Sequence, residues 1–154
     1  MSDVATHTYD GLPVAQDPPH GASVIVHRRG KAGLELLILR RVHIGPASDE
    51  PPSPGFDEVA DWTWTPPAGA RLPSEPVDLC AQRELLEETG LVLPLRLTEA
   101  GSPHWRVFKA EARPDARVVL NEEHDAYEWV ALDEALCRCR PLLVADQIRV
   151  ALGG

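Results

Sequence analysis

The chain has 154 residues, near the usual size of one compact domain and enough to bury a hydrophobic core. Lys and Arg number 15 against 24 Asp and Glu, giving a formal net charge of -9 and a pI near 5. That excludes a non-specific nucleic-acid binder, which needs a basic stripe, and a polyphosphate would be repelled unless metal ions bridged it to the protein.

Residues 1–20 read as an irregular, proline-spotted lead-in, and Met1–Asp10 has neither the basic start nor the apolar run of a secretion signal. Ala22–Arg28 and Glu35–Arg41 are β-branched or leucine-rich, so they are expected to be strands joined as a hairpin through Arg29–Gly33. Gly30-Lys31 lacks the upstream glycine and downstream Ser/Thr of a phosphate loop. The apolar runs at Val24–Val26 and Leu36–Leu39 are strand-length and far too short to span a bilayer. Cys80, Cys137 and Cys139 have no disulfide-framework spacing, which points to a cytoplasmic chain with reduced thiols and no membrane partner.

Val42–Asp61 carries four prolines, two glycines and five acidic residues. A loop of that length is uncommon in a compact domain, and it reads either as a mobile flap beside a site or as a plain insertion. Trp62-Thr63-Trp64-Thr65 alternates like a short strand that Pro66-Pro67 halts. Its tryptophans suit core packing first and base stacking second; Trp64 is kept as a candidate substrate contact.

Residues 69–91 hold Gly69, Glu75, Arg83, Glu84, Glu87, Glu88 and Gly90 at fixed spacings. Pro76 suits a helix start with Ser74 and Glu75 as caps, and Gly90 suits a left-handed stop with Leu91 packing back on Leu86. Val77, Ala81 and Leu85 form an apolar stripe that Leu79 and Leu86 widen. The same helix sets Glu84, Glu87 and Glu88 on one face, at i, i+3 and i+4. In a partly buried cleft each such like-charged pair costs roughly 3 kcal/mol at about 6 Å and an effective dielectric of ~20. A divalent cation would convert that cost into binding. The competing reading is a solvated helix whose glutamates face water, with Arg83 as a surface partner.

Downstream, Leu91–Leu97, His104–Ala110 and Ala126–Val130 are expected strands, and Leu132–Leu136 and Leu142–Leu152 expected helices. Leu120–Val130 contains a second acidic group, Glu122-Glu123-His124-Asp125, ahead of Trp129. On its own this is an acidic turn before a strand. Arg28, Arg40, Arg41, Arg71 and Arg106 are candidate phosphate contacts or ordinary surface charges; Arg41 and Arg71 are retained as substrate-binding candidates.

The 69–91 segment resembles, without departure, the signature of the Nudix hydrolases: Gly, five residues, Glu, seven residues, then Arg-Glu-apolar-any-Glu-Glu-any-Gly-apolar. The resemblance implies an α/β (α+β) fold, an α/β/α sandwich with a mixed β-sheet and the box helix packed on it, formed by a single domain over 1–154. It implies a metal set of Gly69 (through its carbonyl), Glu84, Glu87 and Glu88, with Arg83 orienting the cluster. Glu123 joins that set because the Glu-His-x-x-x-x-Trp segment resembles one that several Nudix pyrophosphohydrolases place opposite the box helix; Glu122 is the substitute if the loop is shifted by one. Glu75 closes the loop or assists through water. The general base is expected to be Glu88 or Glu84, with Glu123 next. Mg²⁺ is the implied cofactor, with Mn²⁺ as a substitute. The implied activity is hydrolysis of a phosphoanhydride bond in a nucleoside diphosphate-linked small molecule, with nucleoside triphosphates or dinucleoside polyphosphates favoured. The alternative is a non-catalytic Nudix-like nucleotide sensor. Oligomeric state is open.

Overall fold

The computed structural model describes residues 13–31, 33–42, 63–140 and 142–153. The proline-rich loop expected over 42–61, apart from Val42, lies outside the described residues, as does Trp62.

Strand β1 (Gly21–Gly30) is the spine. It pairs antiparallel with β2 (Gly33–Arg41) and with β4 (Ala68–Ala70), and parallel with β6 (Trp105–Glu111). The sheet order is β3-β2-β1-β6-β5, where β3 is Trp64–Thr65 and β5 is Arg96–Ser102; β7 (His124–Ala131) adds to β2. One parallel pairing among antiparallel ones makes the sheet mixed, as expected. The hairpin also forms as expected: Gly30 faces Gly33, whose φ of 117° only glycine adopts readily.

Helix α1 (Val77–Thr89) covers one face of the sheet, and α2 (Leu132–Arg138) and α3 (Leu142–Gly153) cover the other. Because both faces are covered, the strands read as continuous apolar runs. Alternation then sorts them. Ala22, Val24, Val26, Leu37 and Leu39 join the α1-side core, while Ile25, Leu36 and Ile38 join the α2/α3 side with Val107, Val130 and Ile148. This is the expected α/β/α sandwich.

Two elements differ from expectation. Leu91–Leu95 is not a strand; β5 begins at Arg96 and runs to Ser102. Leu91, Leu93 and Leu95 still turn to the α1-side core at every second position, but Pro94 offers no N–H and the segment has no ladder. The short β4 was not anticipated, because Pro66-Pro67 argued against any strand there. Ala68–Ala70 nevertheless pairs with Ser23–Gly21.

Candidate functional site

The burial of α1 is unlike that of a surface helix. Cys80, Ala81, Leu85 and Thr89 face inward, and so do Glu84 and Glu88, at 6% and 1% exposure. Leu79 and Leu86, placed on the apolar stripe from the sequence, are half exposed. The solvated-helix reading therefore fails for two of the three glutamates. Glu87, with its side chain 50% exposed, is the one that faces water. Burying two carboxylates one turn apart opposes both desolvation and Coulomb repulsion, so the surroundings must hold them.

Arg83 holds Glu84. Its Nη1 donates to Glu84 Oε1 at 2.9 Å and to Glu87 Oε2 at 3.3 Å. The other edge of the guanidinium grips Glu75 in a two-pronged pair, Nε to Oε2 at 2.8 Å and Nη2 to Oε1 at 3.0 Å, and Nη2 also donates to the Ala70 carbonyl at 3.0 Å. Glu75 accepts a further bond from the Leu72 N–H at 3.0 Å. The 70–75 loop and the helix are thus riveted through one planar fork. Glu75 is engaged there instead of capping α1. The cap position is Pro76, with no side-chain cap bond. At the other end Gly90 stops the helix in the left-handed conformation, φ 74°, as expected. Leu91 turns into the core with Leu85, not onto the half-exposed Leu86.

Gly69 has a steric reason to be glycine: a Cβ there would coincide with the Glu84 carboxylate. The loop backbone and that carboxylate are in direct apposition.

Glu88 is held differently. Its Oε1 accepts the Ala68 N–H at 3.1 Å, while Oε2 is buried with no hydrogen-bond partner among the described residues. Burial, then the neighbouring Glu84 and Glu123 carboxylates, push its pKa well above the usual carboxylate range. Burial also raises Glu84 to about 7 against the opposing pull of Arg83. The third carboxylate arrives from the turn before β7. There the Glu123 N–H donates to Asn121 Oδ1 at 3.1 Å, and its carbonyl accepts from the Val42 N–H at 3.0 Å. Ligand atoms of Glu88, Glu123 and His124 all lie within 4.8 Å of one another. Glu122 is exposed, so the one-residue shift is not the arrangement adopted. His124 carries no assigned role in the sequence reading, where it figures only as the histidine of the Glu-His-x-x-x-x-Trp segment.

A buried carboxylate oxygen without a donor, beside two more carboxylates, is the setting that a hard divalent cation satisfies. The donor set fits Mg²⁺ or Mn²⁺, both of which take oxygen ligands.

A cavity of about 440 Å³ lies between the sheet and the start of α3, and Ala68 links it to the carboxylates: it lines the cavity, and its N–H holds Glu88. The Trp105 indole forms one wall. Nε1–H donates to Ser23 Oγ at 2.8 Å, and the six-membered ring lies where a Cβ on Gly21 would stand, so the ring is laid along β1. Arg41 is the cationic lining residue, with Gln147 from α3 as a neutral polar one.

The other candidates are placed elsewhere. Arg71 is 5% exposed and donates to the carbonyls of Pro19, Asp17 and Glu75 at 2.7–2.9 Å, with an ion pair to Asp17. It is a tether between lead-in and box loop. Trp64 has its ring covered by the Arg138 guanidinium at 4.4 Å and packs on the α2/α3-side core, as the core reading expected. Arg28 is paired with Glu35 and lies over Trp129, and Arg40 is paired with Asp125.

Among curated proteins, the chain is 35% identical over 144 residues to a Myxococcus xanthus octanoyltransferase, covering 84% of this chain and 36% of that protein. It is 33% identical over 85 residues to the asymmetrical bis(5'-nucleosyl)-tetraphosphatase of Rattus norvegicus, covering 47% of this chain and 58% of that one. The chain thus spans between about a third and three fifths of the length of these relatives. A C. elegans Ap4A hydrolase binary complex superposes with a TM-score of 0.63 at 23% identity, covering 84% of this chain and 91% of that one, a likeness of fold. The family model described as NUDIX domain matches residues 17–150, and with that match over most of its length the chain belongs to the Nudix family.

Proposed function

We propose that this protein is a divalent-metal-dependent pyrophosphohydrolase, one Nudix domain that cleaves a phosphoanhydride bond in a nucleoside diphosphate-linked molecule, most readily a nucleoside triphosphate or dinucleoside polyphosphate. The observation that carries the reading is the unpartnered, buried Oε2 of Glu88 amid Glu84 and Glu123, at the edge of a cavity of about 440 Å³. That cavity is of the size that takes a small ligand. The tetraphosphatase likeness supports the choice of substrate class.

Glu84, Glu87, Glu88, Glu123 and the Gly69 carbonyl would hold Mg²⁺ or Mn²⁺. The bound cation would neutralise the charge that builds on the leaving phosphate. The chain's own residues supply the rest. Arg83 fixes Glu84 in one orientation, so Glu84 serves as a ligand more readily than as a base. Glu88, held at Oε1 by the Ala68 N–H, takes the proton of the attacking water. Water oxygen then bonds to phosphorus as the anhydride P–O bond breaks and the leaving phosphate departs with its electron pair. Trp105 offers a flat apolar wall for a base, and Arg41 a cation for phosphate.

Incubation with Mg²⁺ and a panel of nucleoside triphosphates, dinucleoside polyphosphates and ADP-ribose, with product nucleotides resolved by chromatography, tests the reading. Metal-dependent cleavage of at least one is expected. Saturable nucleotide binding with no cleavage of any panel member would instead make the chain a sensor.

A further inference from the structure

One group in the cluster is unused by the carboxylate chemistry. His124 is 5% exposed at the start of β7, and its Nδ1 is buried with no hydrogen-bond partner among the described residues. A ring nitrogen of His124 and carboxylate oxygens of Glu88 and Glu123 all fall within 4.8 Å of one another. The same cluster holds a second orphan, Glu88 Oε2. Native interiors rarely leave a buried polar atom unsatisfied, and two of the three side chains in this cluster, His124 and Glu88, each carry one. A cation shared by these side chains would account for both.

An imidazole nitrogen changes what the centre prefers. Mg²⁺ takes oxygen donors almost exclusively, whereas first-row transition ions gain from nitrogen.

We propose that His124 is a nitrogen ligand at the Glu88–Glu123 metal position, giving this chain a mixed carboxylate–imidazole centre that favours Mn²⁺ or Co²⁺ over Mg²⁺. The inference rests on the metal reading above and adds a donor outside the box.

Mn²⁺ is the probe, read by pulsed EPR on the full chain without substrate. The wild type is expected to show ¹⁴N modulation on bound Mn²⁺, converted to a ¹⁵N pattern when histidine alone is isotopically labelled. His124→Gln should abolish the modulation, weaken Mn²⁺ binding by about tenfold or more, and weaken Mg²⁺ binding less. If His124→Gln does not fold, a variant retaining His124 and replacing the other five histidines must keep the signal. Bound Mn²⁺ with no nitrogen modulation overturns the inference and leaves the metal reading standing. Modulation that persists in His124→Gln also overturns it. Failure of the wild type to bind Mn²⁺ overturns both.

Discussion

The carboxylate of Glu84 fills the space that any side chain at Gly69 would need. Loop and helix are mutually moulded at that point, and the obstructing atoms are the far end of a flexible side chain. Gly69→Ala is therefore expected to fold with a modest loss of stability, about 1–3 kcal/mol at most, as for other overpacked sites. Glu84, however, must leave its seat and its bond from Arg83. Calorimetric metal titration should show affinity falling at least tenfold, a loss typical of disturbing a ligand's support. Wild-type metal affinity in Gly69→Ala would mean that Glu84 is not a ligand.

The metal-free protein should lose stability as pH rises. Glu84 is raised to about 7 and Glu88 well above the ordinary carboxyl value, in both cases chiefly by burial. Between the unfolded value near 4.5 and these folded values, the fold binds more protons than the unfolded chain. Stability is thus fully present below about pH 4.5 and is lost as pH climbs through about 7, by on the order of 3 kcal/mol from Glu84 alone. Urea denaturation in EDTA from pH 6.5 to 8, above the range in which the buried His124 (lowered to about 4) acts the opposite way, should show this decline, and saturating Mg²⁺ should flatten it. A metal-free protein more stable at pH 8 than at pH 6.5 would contradict the burial argument.

Substituting the two adjacent glutamates should separate their roles. Glu88→Gln removes a fully buried oxygen acceptor beside Glu84, whereas Glu87→Gln alters a half-exposed group. Turnover should fall by about 10³-fold or more in Glu88→Gln, since base and metal effects are both lost. Without metal, the same variant should be more stable than the wild type at alkaline pH, because the penalty of ionising a buried carboxyl beside Glu84 and Glu123 is gone. A Glu88→Gln protein that turns over normally under saturating Mg²⁺ would remove Glu88 from the chemistry.

Trp105 can be tested by its ring. Trp105→Phe keeps a flat apolar wall but loses the bond to Ser23, and Trp105→Ala loses both. KM for the preferred nucleotide should rise by about tenfold in Trp105→Ala, in line with ~1–3 kcal/mol per stacked base, and less in Trp105→Phe. Equal effects of the two on kcat alone would argue that the indole serves the sheet and not the ligand.

Much of this arrangement was legible in the chain. Spacing located α1 and its glutamates, and continuous apolar runs located β1 and β2, because those signals are local and periodic. What escaped depended on partners distant in sequence. Leu91, Leu93 and Leu95 alternate like a strand, and only the lack of a ladder partner keeps them from being one. Leu79 and Leu86 look like core residues, yet the sheet receives Glu84 and Glu88 in their place. A hydrophobic stripe cannot announce that its neighbouring carboxylates are the buried ones. Arg71 looked like a surface charge free to meet phosphate, because nothing local reveals that carbonyls of Asp17 and Pro19 await it.

That last contact gives the residues ahead of β1 an unexpected standing. Beyond the side-chain bonds, the Ala15 N–H donates to the Arg71 carbonyl, and the Arg71 N–H to the His20 carbonyl. Arg71 in turn bonds the Glu75 carbonyl, and Glu75 anchors Arg83. A shortened protein beginning at Gly21 would keep every strand and helix, yet strand a guanidinium in the interior three links from Glu84. Trimming this stretch to aid crystallisation would erode the very centre that the crystals were meant to display.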